Sequence, residues 1–222
     1  MRRMVPLILM AFGLAGCSVL PEAGGGRGRQ EVHRSTSSFT PNAEARQCMA
    51  ELGRTNASFT PVPDRYLGEG CSTLNSVSLS TLRSDDARLS LANMGPVACP
   101  LANDFAAWAR YGVDRAARQI LGSPVTKIET MGSYACRNVA GTGRRSAHAT
   151  ANAIDISAFI LADGRRVSVI QDWVDGTDPE RRFLRIVHAS ACKRFGTVLG
   201  PDYNAAHRDH FHVESGSAGF CR

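Results

Sequence analysis

The chain has 222 residues, 43% hydrophobic and 21% charged, with a formal net charge of +6. That apolar share suffices to bury a real core and fits a single globular domain. The basic residues are scattered and only two are lysines, Lys127 and Lys193, so the charge favours approach to anionic surfaces and excludes a nucleic-acid partner.

In chain order, Arg2 and Arg3 precede an apolar run over residues 5–14, too short to cross a bilayer core of roughly 30 Å as a helix. It reads as an export signal, residues 1–16. Its end, Leu14-Ala15-Gly16-Cys17, resembles the lipobox of bacterial lipoproteins. That resemblance implies cleavage before Cys17, acylation of its thiol and a lipid anchor in the membrane at the periplasmic face of the cell envelope. Residues 17–41 carry Gly24, Gly25, Gly26 and Gly28 and a Ser/Thr run at 35–38, too little apolar material to fold, and read as a flexible tether. Residues 42–222 form the domain. Six cysteines remain within it, Cys48, Cys71, Cys99, Cys136, Cys192 and Cys221, an even number suited to three disulfides in an oxidising compartment. The sequence leaves the connectivity open; Cys48 with Cys71 is the pairing we expect first.

A short helix is expected over 42–52, loop over 59–65 because of Pro61 and Pro63, and strands over 77–82 and 88–91. Pro100 opens a longer helix to Leu121, with Leu101, Phe105, Trp108 and Ile120 on its core face and Gly122 as its stop. A strand at 125–130 is followed by a Gly- and Arg-rich loop at 138–145. Residues 153–161 then alternate as a strand, placing Ile154, Ile156, Ala158 and Ile160 on one face and Asp155 on the other. Ala162-Asp163-Gly164 turns into a second strand at 165–170, a β-hairpin. Asp178 as N-cap, Pro179 at the first position and Glu180 in the first turn start a helix to about Phe195 that buries Phe183, Leu184, Val187, Ala191 and Phe195. In the last strand Phe211 and Val213 share one face, His210 and His212 the other.

Two segments, 146–155 and 207–212, hold four of the six histidines. If the strands carrying Asp155 and His212 are neighbours, imidazoles and a carboxylate converge over one sheet surface. Zinc takes such ligands, and a catalytic site keeps three of them plus an open position for water. His148, Asp155 and one histidine of the last strand meet that count. The remaining histidines are then free to act as general base and as a polarising group. His188, in a helix, and His33, in the tether, read as structural or incidental.

These residues carry a resemblance. SAHATANAID (146–155) is similar to the S-x-H-x-x-G-x-A-x-D pattern, and HRDHFH (207–212) to the H-x-x-H-x-H pattern, of the LAS group of zinc peptidases, which spans lysostaphin-type enzymes, D-Ala-D-Ala metallopeptidases and the hedgehog fold. More closely, Cys99-Pro100, SYACR, SAHATANAIDISAF, FLRIVHASAC, LGPDYN and HRDHFHVE resemble the bacterial extensin-like C-terminal domain family, over about residues 45–222. The resemblance implies an α+β fold with a mostly antiparallel sheet flanked by helices. It implies zinc on His148, Asp155 and His212, with His210 as general base and His207 lining the site. Asp209 matches the position of a catalytic glutamate in the dipeptidase branch and is the second candidate base. Arg137, after Tyr134, resembles the Y-R segment of carboxypeptidases and would hold a substrate carboxylate or an oxyanion. The implied activity is hydrolysis of an amide in peptidoglycan peptide stems by metal-activated water. The alternative is a non-catalytic envelope protein of the same fold that binds peptidoglycan or a partner. The chain departs from the pattern at Ala151, where the motif has glycine.

Overall fold

The structure is a computed structural model and describes residues 42–217 and 219–222. The expected signal segment, the lipidated Cys17, the tether and His33 lie outside the described residues. No helix among the described residues is long and apolar enough to cross a membrane.

Helix α1 (Ala43–Arg54) starts where the Asn42 side chain accepts the Ala45 N–H at 2.8 Å. Six strands follow: β1 (Ser58–Pro61), β2 (Tyr66–Gly68), β3 (Cys71–Ser72), β4 (Ser76–Arg83), β5 (Arg88–Ala92) and β6 (Pro96–Ala98). The expected loop at 59–65 thus begins as strand, and Pro61 is tolerated because β1 is an edge. The long helix is present but not uniform: α2 (Cys99–Trp108) passes through a π-helical turn (Ala109–Asp114) into α3 (Arg115–Leu121). Gly122 ends it in the left-handed conformation, φ 71°. The π turn carries Gly112 against the helix α5 (Asp178–Cys192). A Cβ at Gly112 would collide with Ser190 Oγ and stand 2.9 Å from Trp108 Cδ1.

Strand β7 (Val125–Gly132), a 3-10 turn (Ala147–Thr150) and strand β8 (Ala153–Leu161) come next. The hairpin strand β9 (Arg166–Ser168) is shorter than the expected 165–170, because the Ser168 side chain accepts the Gln171 N–H and starts the short helix α4 (Val169–Asp172). Helix α5 is capped by Thr177, not Asp178: Thr177 and Glu180 form a reciprocal capping box, and Asp178 is already helical. Strand β10 (Thr197–Leu199), a 3-10 turn (Ala205–His207), β11 (Phe211–Glu214) and β12 (Phe220–Cys221) complete the chain.

One large sheet runs β1-β4-β5-β7-β8-β11-β10-β12, with β6 on β4 and β9 on β8; β2 and β3 pair separately. Among the described residues, only β5 with β7 and β10 with β12 are parallel. The fold is therefore α+β with a mostly antiparallel sheet, as expected. Its core joins Phe105, Trp108, Val113 and Ala117 from the long helix and Phe183, Leu184 and Val187 from α5 to Ile154, Ile156, Phe211 and Val213 on the sheet. The Trp108 indole N–H donates to Val187 O at 3.2 Å, so the largest core ring leaves no buried donor unmatched.

One face assignment is corrected. Thr130 pairs with Ile156 but Glu129 with Ala158, so Ser157 is an extra residue in β8. Beyond this bulge the alternation inverts. Phe159 and Leu161 enter the core, and Ile160 is left half-buried. The disulfides are Cys48–Cys99, Cys71–Cys136 and Cys192–Cys221, which overturns the expected Cys48–Cys71 pair. Cys48 lies on α1, which packs on the start of α2, whereas Cys71 on β3 faces the segment after β7.

Candidate metal centre

Three local devices deliver the side chains. Ser146 caps the 3-10 turn by accepting the His148 N–H. Ala151 ends it at φ 56°, ψ 21°, its N–H on His148 O at 3.1 Å and its carbonyl accepting the Ala98 N–H at 2.8 Å. The motif position that carries glycine in the pattern does require left-handed backbone, and here alanine adopts it. The third device is the β8–β11 pairing, which sets Asp155 directly opposite His212. Because Ile154, Ile156, Phe211 and Val213 are fixed in the core, Asp155 and His212 must share the other face.

His148, Asp155 and His212 are 3%, 9% and 6% exposed. His212 Nδ1 lies 2.8 Å from Asp155 Oδ1, His148 Nε2 lies 3.1 Å from Asp155 Oδ2, and the two rings are 5.0 Å apart. Burial alone would raise the Asp155 carboxyl, yet the facing His148 and His212 imidazoles, when they carry protons towards it, hold it well below the usual carboxylate range. Burial likewise opposes charge on His212, but hydrogen bonds to Asp155 and Glu214 push it up to about 9.

The outward nitrogens are also engaged. His148 Nδ1 donates to Ser133 O at 3.2 Å, and His212 Nε2 to Glu214 Oε1 at 2.8 Å. A neutral His148 with its proton on Nδ1 presents a lone pair at Nε2. That atom is buried, faces a carboxylate and has no hydrogen-bond partner among the described residues; the short approach to Asp155 lacks hydrogen-bond geometry. Two facing acceptors call for a cation between them. The three residues offer ligand atoms within 4.8 Å of one another. A donor set of imidazole, carboxylate and imidazole, each imidazole oriented from behind, fits a divalent ion such as zinc.

The neighbouring histidines lie at the edge of this cluster. His210, 8% exposed, has Nδ1 2.8 Å from Asp209 Oδ1 and Nε2 3.5 Å from Asp155 Oδ1. His207 stacks near both, ring centroids 5.2 Å from His210 and 5.8 Å from His212, with Nδ1 donating to Asn204 Oδ1 at 2.8 Å. Burial, then His210 and His212, push His207 down to about 4, so it is neutral at ordinary pH. Arg137 is not brought in. Its backbone carbonyl accepts the Ser146 N–H, and its exposed guanidinium donates to the neighbouring Asn138 O at 3.5 Å; among the described residues no contact joins it to the cluster.

Sequence reasoning missed Ser133 and Glu214. A backbone carbonyl leaves no mark in a sequence, but Glu214 lies two residues beyond His212, on the same strand face, and alternation could have found it. A second cluster of potential ligands, His188, Cys192 and Cys221, has both sulfurs consumed by a disulfide. His188 packs on Trp173 and Phe211 at 5.7 and 5.2 Å, on the opposite side of the sheet from His212.

No curated protein and no solved structure matches the chain. The sequence profile of the extensin-like protein C-terminus matches residues 46–222, from within α1 to the last residue and across the whole His–Asp cluster. The chain belongs to the extensin-like C-terminal family.

Proposed function

We propose that this chain is an exported, zinc-dependent, peptidase-like envelope protein that hydrolyses an amide bond in peptidoglycan peptide stems, tethered to the membrane through Cys17. The observation that carries the reading is His148 Nε2: a buried ring nitrogen with no hydrogen-bond partner among the described residues, facing Asp155, in a group of three ligand-type side chains whose outward nitrogens are already bonded. The resemblance of the 146–155 and 207–212 segments to the LAS patterns suggests the substrate class.

His148, Asp155 and His212 would hold the ion. When bound, zinc supplies a Lewis acid that polarises the scissile carbonyl and lowers the pKa of water towards about 7. The rest of the chemistry belongs to the chain. His210 Nε2, directed towards Asp155, accepts the proton of the attacking water as the new C–O bond forms. It returns that proton to the amine nitrogen as the C–N bond breaks. Neutral His207 contributes a second lone pair beside it, and Glu214 and Ser133 keep the ligand rings from turning.

The test is metal analysis of the purified chain lacking its signal, paired with a muropeptide digest by wild type and His210→Ala. We expect stoichiometric zinc in both, lost in His148→Ala, and cleavage products from wild type alone. Stoichiometric zinc with identical profiles for wild type and His210→Ala would favour the non-catalytic binding protein. A wild-type chain without zinc sinks the reading at its first step.

A further inference from the structure

We infer that Asp209 is a positioning residue that fixes the orientation and tautomer of His210, and not a proton acceptor in its own right. The inference rests on the hydrolytic reading above, and it decides between the two residues that sequence comparison leaves in competition.

Each histidine of the cluster has one nitrogen tied outward, and the partner differs each time. His148 is tied to the Ser133 carbonyl, His212 to the Glu214 carboxylate, and His207 to the Asn204 side-chain oxygen. Asn204 Oδ1 also accepts the Ala206 N–H at 3.0 Å, which fixes that atom as the oxygen and makes the partner of His207 a neutral acceptor. His210 alone combines a carboxylate partner with a position outside the three-ligand group.

An ionised carboxylate has only acceptors, so the 2.8 Å contact from Asp209 Oδ1 requires the proton of a neutral His210 to sit on Nδ1. Nε2 then carries the lone pair, and the same ring orientation sets it 3.5 Å from Asp155 Oδ1, facing the cluster. Asp209 stands behind the ring, on its far nitrogen. Among the described residues its hydrogen bond is to His210, and no contact joins it to His148, Asp155 or His212. To take a proton from water at the ligand group, it would have to reach past the imidazole it holds.

An asparagine at this place keeps an acceptor for Nδ1–H, as Asn204 does for His207, but an uncharged one. Alanine removes the acceptor altogether, and the proton is then free to occupy Nε2, where the lone pair is needed.

The experiment compares wild type, Asp209→Asn and Asp209→Ala, each lacking the signal segment. It measures the ring-nitrogen NMR shifts of His210 with and without zinc, zinc stoichiometry, and kcat and KM on muropeptides. We expect Nδ1–H in wild type and in Asp209→Asn, and a shift towards Nε2–H in Asp209→Ala. Zinc content should be retained in all three; kcat should fall by about 100-fold in Asp209→Ala with little change in KM, and by less in Asp209→Asn. The proposal is overturned if His210 keeps Nδ1–H in Asp209→Ala, or if both variants lose kcat equally, which would mark Asp209 as the base. Should wild type hydrolyse nothing, the functional reading falls, while the NMR arm still decides whether Asp209 positions His210.

Discussion

The Cys71–Cys136 disulfide gives a prediction that couples fold to site. Cys136 lies in the segment that clamps His148 from two sides: Ser133 O accepts from Nδ1, and the Ala135 N–H donates to His148 O at 3.2 Å. Cys71 anchors that segment to β3, which also packs on the 3-10 turn carrying His148. The bridge closes a separation of 65 residues, for which chain entropy gives about 4 kcal/mol of stabilisation at 25 °C. Cys192–Cys221, with a separation of 29, gives about 3.5 kcal/mol by the same relation, and touches none of the three ligand-type residues. Replacing either pair by serines should therefore cost similar stability in urea titrations. Zinc affinity should divide them. The Cys71→Ser/Cys136→Ser chain frees the carbonyl that orients His148 and should bind zinc about 10-fold or more weakly, while Cys192→Ser/Cys221→Ser should stay near wild type. Competition titration with a chromogenic chelator, at a temperature where both variants remain folded, reads the difference. Equal affinity in the two variants would refute the claim that this disulfide positions the ligand.

Three further outcomes are expected. Glu214→Gln removes the carboxylate behind His212 and should weaken zinc binding by about 10- to 100-fold with the circular dichroism unchanged. Hydrogen bonds from Arg115 and Arg110 hold exposed Asp85 down at about 2, so its contribution to stability is present above the unfolded value of 3.8 and is lost as pH falls towards 2. Asp85→Asn should therefore flatten the fall of Tm over that window and leave Tm above pH 5 shifted by a constant amount. Ala151 can be replaced by glycine within about 1 kcal/mol, because relief of the left-handed strain is offset by backbone entropy and a lost buried methyl. Ala151→Val, β-branched in the same conformation, should lose both stability and zinc.

What the sequence discloses depends on how local the cause is. Asp155 and His212 could be placed on one face because period-two alternation needs only their immediate neighbours, whose apolar side chains fix the opposite face. The bulge at Ser157 escaped because Ala158, Phe159, Ile160 and Leu161 are all apolar, so either register of β8 reads as plausible. The π turn escaped for a related reason: the apolar face continues through it, and the close approach of Gly112 to Ser190 involves a residue far away in the chain. Disulfide pairing is equally non-local. Cys48 and Cys71 are near one another in sequence, but α1 packs on α2 while β3 leans on the 3-10 turn that carries His148. The candidate residues were legible because each is a titratable type in a short pattern. Their supports divide into those with a side chain, such as Glu214 and Asp209, and Ser133, whose contribution is a carbonyl that any residue would provide.

The placement of the cluster bears on why it has this form. Asp155 and His212 face each other across adjacent strands whose opposite sides are locked by Ile154, Ile156, Phe211 and Val213, so neither can move without shifting the sheet. His148 sits instead on a four-residue turn, held by Ser146, Ala151, Ser133 and Ala135. Two of the three ligand-type residues are therefore on rigid elements and one on a clamped loop. An unpaired buried polar atom costs about 1–3 kcal/mol, and His148 Nε2 is held in that condition by bonds on every side of the turn. On the proposed metal reading that geometry suits a cation between Nε2 and the Asp155 carboxylate, and the adjustable part of the proposed centre is His148, where the disulfide and the Ala151 conformation both act.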